Sequence, residues 1–417
     1  MTKALIVGGG PAGMIAAIAA AEEGASVTLL ERNEKLGKKL YITGKGRCNI
    51  TNDCQREAFF AAIPRNPRFL YSAYSRFSPQ ELMATMQRLG VPMTVERGNR
   101  VFPASQKASD VTRALAQRMQ QLGVEVRLNT RVSSLALSGG RVCGVRDEAG
   151  TLYPADCVVI ATGGLAYPLT GSTGDGYELA RQAGHRVTPT YPSLISLEAG
   201  DPWIPGLQGL SLKNVRLTAR LGKKTLFSGL GEMMFTHYGI TGPLVLTLSA
   251  LLPQEGLETA AVHLDLKPGL TEEQLKQRIQ REFEAHGSRQ LMGALAELLP
   301  RRLLEAVLEA AGLAPDLSIH HLSRQQRETL LASFKALPIH LKGRRGFDEA
   351  VVTRGGVDVK EIDPKTMQSR KAEGLYFAGE VLDVDGFTGG FNLQIAFSTG
   401  YSAGKALKPC TKDGAPV

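Results

Sequence analysis

Gly8, Gly10 and Gly13 stand at G-x-G-x-x-G spacing, directly after a β-branched apolar run and directly before an Ala-rich stretch over residues 14–23. A strand that turns through glycines into a helix gives this pattern its chemistry. Gly8 permits the tight turn, Gly10 lets the backbone approach a pyrophosphate favoured by the helix N-terminus, and Gly13 lets helix and strand pack closely. Glu31 closes a second apolar run, residues 27–30, where a carboxylate can accept both hydroxyls of an adenosine ribose. An acid there fits an unphosphorylated ribose, so FAD or NAD rather than NADP. In the loop that follows, Lys45 and Arg47 supply fixed positive charge, Gly44 and Gly46 permit close approach to a cofactor, and Asn49 and Asn52 can donate to carbonyls or hold the loop. Cys48, beside Arg47, has two readings: a proton donor with a lowered pKa, or a small buried filler. His237, followed by Gly239 and Gly242, is either an acid or orienter at a substrate face or a hydrogen-bonded anchor of its turn. For His320-His321 no third ligand is visible, and no metal site is expected.

These residues need an α/β frame. The amphipathic stretch 107–122 reads as a helix, and alternating strands are expected around Leu135 and Val142 with a Gly139-Gly140 turn. Residues 157–164, Cys-Val-Val-Ile-Ala-Thr-Gly-Gly, read as a buried strand and turn that rejoin the first domain. Residues 374–400 form a strand ending in Ala378-Gly379-Glu380, a loop, and a Gly389-Gly390 pair opening a helix. Two-dinucleotide-binding-domain flavoproteins close in this way, with a helix N-terminus aimed at the flavin ring or ribityl chain. With one fingerprint and no second, FAD is expected to have a bound site while NADH or NADPH visits as a transient reductant. The expected fold is therefore α/β, a Rossmann-type flavoprotein with an inserted β-barrel-like domain and an inserted helical domain. Its FAD-binding part is discontinuous, 1–187 and 345–410. Prolines 189, 192, 202 and 205 and short alternating strands mark a β domain over 188–265 and about 337–345. Capping-box starts at Thr271 with Gln274 and Ser323 with Gln326, and Leu275, Ile279 and Phe283 at four-residue spacing, mark a helical domain over 266–336.

Residues 37–52 (GKKLYITGKGRCNITN), residues 231–243 (GEMMFTHYGITGP) and the C-terminal GGFNLQ together resemble the YhiN-like, or BaiN/RdsA-type, family of FAD-dependent oxidoreductases. The resemblance spans about residues 3 to 407. It implies that the GKGRCNITN loop lies along FAD through Gly46, Arg47, Cys48 and Asn49. With the glycine motifs, the expected contacts to noncovalent FAD are Gly8, Gly10, Pro11, Ala12, Gly13, Glu31, Arg32, Lys39, Gly46, Arg47, Cys48, Asn49, Val132, Ala161, Thr162, Gly163, Gly379, Glu380, Asp383, Gly390, Asn392, Leu393 and Gln394. Cys48 and His237 are the candidate catalytic acids. Some relatives in the family act on small molecules, and the branch this chain resembles includes a flavoenzyme that makes dihydrouridine in large-subunit ribosomal RNA. The implied reaction delivers hydride to carbon 6 of uracil and a proton to carbon 5, on a base that is flipped out or unpaired.

Composition and charge bear on the partner. The 417 residues carry a net charge of +9, and residues 35–107 hold thirteen Lys or Arg against four Asp or Glu, so the excess is concentrated there. Arg65, Arg68, Arg76, Arg88, Arg97, Arg100 and Lys107 alternate with Phe59, Phe60, Phe69, Tyr71, Tyr74, Phe77 and Phe102, a mixture suited to following phosphates and stacking bases of ribosomal RNA. The alternative is that the cations neutralise the pyrophosphate while the aromatics are core. Five scattered cysteines without C-x-x-C spacing argue against disulfides and zinc. No signal segment and no long apolar stretch is present, so a cytoplasmic protein without membrane attachment is expected. A small-metabolite oxidoreductase or oxidase, and an RNA-binding assembly factor with structural FAD, are the alternatives.

Overall fold

The computed structural model describes residues 1–286 and 289–407; Cys410 and the last part of the expected FAD-binding segment, 408–410, lie outside the described residues. Two compact units are present, Met1–Ser193 with the return from Phe347, and Leu194–Gly346.

A five-stranded parallel sheet carries the first unit. β1 (Lys3–Val7), β2 (Ser26–Leu30), β3 (Glu125–Arg127), β4 (Cys157–Ile160) and β5 (Leu375–Phe377) lie in the order β5-β4-β1-β2-β3, with Ile6 opposite both Leu29 and Val159. Strands covered on both faces read as continuous apolar runs, and β4 is buried at every position. α1 (Pro11–Glu22) follows β1, and α2 (Asp175–Gln182) follows β4. The absence of an apolar stripe on α1 has a simple cause: residues 12–20 are all buried, so no face is left for water. Its neighbour is α3 (Phe391–Ala406). A Cβ on Gly400 would lie 2.2 Å from the Ala12 carbonyl oxygen, and one on Gly404 would lie 2.4 Å from that of Ala16. Both helices therefore depend on small residues where they touch, and the pairing Ala12 with Gly400, Ala16 with Gly404 makes them parallel.

The strands expected around Leu135 and Val142 are Val132–Ser138 and Arg141–Asp147, joined through Gly139 and Gly140 at φ 58° and 78°, the left-handed pair a two-residue hairpin turn requires. Tyr191–Ser193 pairs antiparallel with Val352–Arg354. Residues 188–193, expected in the inserted β domain, thus belong to the first unit. Pro192 is tolerated because both strands of a two-stranded ribbon are edges.

In the second unit a seven-stranded antiparallel sheet is built around the hairpin Ser211–Leu221 and Lys224–Phe235. Its two edge strands, Leu337–Ile339 and Leu341–Arg344, are separated only by His340, so one stretch of chain pairs at both ends of the sheet and brings it round on itself. Both capping boxes form, at Thr271 with Gln274 and Ser323 with Gln326. Where the sequence reading separates helical and β domains, Leu275, Ile279, Phe283, Leu330 and Phe334 of the helices share one hydrophobic core with Leu217, Val262 and Leu264 of the sheet. An amphipathic helix must bury its apolar side, and the inner face of the sheet supplies the surface. No helix among the described residues is long and apolar enough to cross a membrane.

Candidate dinucleotide site

The glycine loop after β1 is held by backbone geometry. Gly8 has φ 108° and a Cβ there would meet the Ala161 carbonyl oxygen at 2.4 Å, while one on Gly13 would sit 1.8 Å from the Gly8 oxygen. Gly10 differs. Its φ is −78°, open to any residue, and a Cβ there would meet nothing within 4 Å. The protein itself has no need of glycine at that position, and the open space leaves the N-terminus of α1 accessible to an anionic group. Glu31 is 7 % exposed and is already engaged: Oε2 accepts from the Gly9 amide at 2.6 Å, and Oε1 accepts from the Asn33 amide and side chain at 2.8 and 2.7 Å. The expectation of two ribose hydroxyls on Glu31 is thereby narrowed to the remaining lone pair of Oε2, because the carboxylate also ties β2 to the glycine loop.

At the other end of the unit, Lys39 Nζ reaches Glu380 Oε2 at 2.8 Å, and Glu380 Oε1 accepts from the Thr353 amide at 3.0 Å. Asp383 takes both oxygens of its carboxylate to Arg65, at 3.0 Å each. Gly390 caps α3 at φ 100°, and a Cβ there would lie 2.2 Å from the Thr51 carbonyl oxygen. Asn392 accepts from the Gly386 amide and donates to the Gly386 and Phe387 carbonyls, which fixes the loop leading into α3. Leu393 is half-buried. Gln394 is 0 % exposed and donates to the Phe77 carbonyl and Ser398 while accepting from Thr51. Its expected cofactor role is corrected accordingly: it is a buried tie between α3 and the segments around Thr51 and Phe77.

The loop around Arg47 also departs from expectation. Arg47 pairs with Glu96 and Gln106 and lies 4.1 Å over the Phe102 ring, so its charge is met within the chain, whereas Lys45 and Gly46 are exposed. Cys48 is 0 % exposed in the core of the first unit. Burial pushes its thiol up to about 12, against a smaller lowering by Thr43, the opposite of the activated cysteine. The buried-filler reading describes it. Cys48→Ala is expected to cost about 1–2 kcal/mol in denaturant unfolding through the missing sulfur volume and to leave turnover within a few-fold.

Val132 and Ala161 are buried at the entry to their strand and at the end of β4, with Gly163 at φ 75° in the turn that follows. Arg32, expected near the cofactor, instead joins Arg131 in clamping Asp175 at the start of α2, at 2.9 and 2.8 Å. Burial raises the Asp175 carboxyl, but the two arginines outweigh it and hold it below the usual range. Asp175, Asp385 and Tyr177 carry no motif and were missed by sequence reasoning, while Thr162 was expected at the cofactor; among the described residues the buried hydroxyls of Tyr177 and Thr162 have no hydrogen-bond partner. No group of three or more His, Cys, Asp or Glu among the described residues is placed to hold a metal ion.

The aromatic residues of the basic segment are mostly core. Phe59, Phe69, Tyr74, Phe77 and Phe102 are all below 9 % exposed, and Phe59, Phe60, Tyr71, Tyr74 and Phe391 form one ring cluster. Only Tyr71 among them is exposed, at 43 %, with Arg56 over its ring. The cations behave differently: Lys35, Lys45, Arg56, Arg68, Arg76, Arg88, Arg97, Arg100 and Lys107 are exposed. In the second unit His237 is exposed on a turn fixed by Thr236 and Gly239, which exchange bonds of 2.9 and 3.0 Å. Its ring packs edge-on against Tyr238.

The fit of a dinucleotide can be judged from the two parallel helices. Ala12, one residue into α1, is level with Gly400, nine residues into α3, so the N-terminus of α3 leads that of α1 by about 12 Å at 1.5 Å per residue. Two positive helix ends at that stagger suit a pyrophosphate at one and the polar edge of a ring system, a ribityl chain away, at the other. Gly10, Pro11, Gly389, Gly390 and Asn392 are half-exposed at these ends while the bodies of both helices are buried. Fold and site define a Rossmann-type FAD-binding α/β protein.

Residues 2–406 match the HI0933-like protein Rossmann domain, and the chain belongs to that family of FAD-dependent oxidoreductases. It is 34 % identical over 411 residues to the 3-dehydro-bile acid Δ(4,6)-reductase of Clostridium scindens, covering 97 % of this chain and 99 % of the relative. It is 32 % identical over 407 residues to the ribosomal RNA dihydrouridine synthase of Escherichia coli, covering 97 % of each. Among solved structures, 3-ketosteroid Δ1-dehydrogenase from Sterolibacterium denitrificans superposes with a TM-score of 0.53 at 14 % identity, covering 97 % of this chain and 98 % of that one, a likeness of fold.

Proposed function

We propose that this chain is an FAD-dependent reductase of an electron-poor carbon–carbon double bond and that its substrate is a uridine in large-subunit ribosomal RNA. FAD, recharged by NADH or NADPH, supplies the hydride. The names of both relatives support the reaction type: a Δ4,6 bond system beside a 3-keto group and the 5,6 bond of uracil are each conjugated to a carbonyl. Such a carbonyl accepts the charge that develops when hydride arrives at the far carbon, and the near carbon then needs a proton. His237, an imidazole presented at the surface of a fixed turn, is proposed to supply it. The protein's remaining task is to hold the unpaired base and exclude water. A ribosomal RNA substrate implies a cytoplasmic enzyme.

The observation that carries the RNA reading is the surface of residues 35–107, where nine exposed cations face only two exposed acids, Glu57 and Glu81. Arg65 does not belong to that surface set, being committed to Asp383. Replacing Arg68, Arg76 and Arg100 with Gln is expected to leave the flavin spectrum unchanged and to weaken RNA binding. The plot of log affinity against log salt should flatten by about 0.7 to 0.9 for each phosphate no longer neutralised. Unchanged affinity and slope would remove the RNA reading. Mapping dihydrouridine in ribosomal RNA from a deletion strain tests the substrate directly: loss of one site supports the reading. Intact RNA, with purified enzyme reducing a 3-keto-Δ4 steroid instead, would establish the small-molecule alternative that the 34 % relative favours. A flavin that no substrate reoxidises would leave a structural cofactor.

A further inference from the structure

Asp385 lies in the loop between Glu380 and the N-terminus of α3 and is 1 % exposed. Its Oδ2 accepts a single hydrogen bond, from the fully buried Ser193 hydroxyl at 3.3 Å. Its Oδ1 has no hydrogen-bond partner among the described residues. The groups around it come from four segments. Asp383, in the same loop, accepts three hydrogen bonds from Arg65, which enters from the segment after the helix Arg56–Ala61. Arg354 and Tyr191 face the cluster from the ribbon formed by Tyr191–Ser193 and Val352–Arg354, and the buried Tyr177 of α2 lies within electrostatic reach of Asp383. Asp383 is bonded to its cation; Asp385 has Arg354 and Arg65 within electrostatic reach, a weak hydroxyl bond, a like charge two residues away and one oxygen without a hydrogen-bond partner among the described residues. Burial pushes its carboxyl up to about 6, with Arg354, Arg65 and Ser193 opposing the rise and Asp383 adding to it.

We propose that Asp385 is a proton reservoir of the dinucleotide site: its Oδ1 takes up a proton from solvent when the bound cofactor gains electrons and releases it when they leave. The inference rests on the FAD reading. Hydride from NADH or NADPH brings two electrons and one proton, so it adds one negative charge to the cofactor, and an added negative charge nearby favours the neutral form of a carboxyl. The solvent proton forms an O–H bond on Oδ1; no electron resides on Asp385. When hydride passes to the substrate the charge is withdrawn and the O–H proton departs, so uptake over a full cycle is zero at this residue. Asp385 thereby acts through charge on the cofactor, as a positioning residue for protons.

The test counts protons. Holoprotein is reduced at a mediated electrode in weak buffer with a pH-indicator dye, at steps from about pH 5.5 to about pH 8. Wild type is expected to take up more protons per two electrons than Asp385→Asn near neutrality, by up to about one at the maximum. Equal uptake in two well-folded, flavin-replete proteins overturns the proposal. Should Asp385→Asn fail to fold, infrared difference spectra of wild type labelled with 13C-aspartate give the same answer. A protonated aspartic carboxyl band that fades as pH rises through the neutral region and grows on reduction supports the reservoir. A band absent at every pH, or one indifferent to reduction, overturns it. Protein that never retains flavin defeats the FAD reading instead, and the pH titration of the carboxyl band is still readable in that protein.

Discussion

Gly10→Val is expected to give folded, colourless protein. At φ −78° the backbone accepts valine, and its Cβ meets no atom of the chain within 4 Å, so the cost to the apoprotein is confined to a poorer helix N-cap, about 1 kcal/mol. The added methyls stand where a pyrophosphate must approach the first turn of α1. Flavin content, read as the ratio of visible to protein absorbance after purification, should fall to background while the thermal melt moves by only a few degrees. Gly13→Ala provides the contrast. Its methyl would lie 1.8 Å from the Gly8 oxygen, so that variant is expected to lose the fold as well as the flavin. Full flavin occupancy in Gly10→Val would disprove the placement. Heating wild type should release all the flavin into the supernatant, as a noncovalent cofactor must.

His237→Ala is expected to lower turnover by 10²- to 10⁴-fold, about 3–5 kcal/mol of barrier, with flavin content and melting unchanged. Exposure on a turn that other residues hold makes the imidazole removable without structural loss. The matching control is Cys48→Ala, where stability moves and turnover does not. Near-normal turnover in His237→Ala, measured under single-turnover conditions so that product release does not mask chemistry, would reject the assignment.

The frame of the site was legible because its constraints are local. Gly8 and Gly13 are needed where backbone meets backbone, and a parallel core strand such as β4 is apolar at every position, so spacing and run length were enough. Gly390 was legible for the same reason, its φ of 100° marking the entry to α3. The fate of the polar side chains was not. Arg47 and Arg32 read as cofactor cations, yet each is met by an acid far along the chain, Glu96 and Asp175. Pairing of that kind is fixed by tertiary packing and leaves no spacing signature. Gln394 was misassigned because a helix N-terminus aimed at a ligand and a buried polar tie one turn later present the same residue type. The helical segment 266–336 was periodic enough to be found but not to reveal its partner, since an apolar face states only that it must be covered. Asp385 escaped notice entirely: a second aspartate in a glycine-rich loop looks like turn chemistry until its burial is known.

The sheet order has a further bearing on how the protein is made. β4 ends at Ile160 and its outer neighbour β5 begins at Leu375, more than two hundred residues later. At roughly 5–20 residues per second of translation, the edge of β4 waits about 10–40 s for its partner, longer than a typical domain takes to fold. Residues 194–346, which have a core of their own, emerge complete within that interval. The nucleotide half-site at the N-terminus is synthesised first, yet it gains the second helix end only when α3 leaves the ribosome. On the proposed placement flavin capture is therefore a late event in biosynthesis, and nascent chains stalled before residue 375 would present an unpaired edge of β4 while also lacking the second helix end.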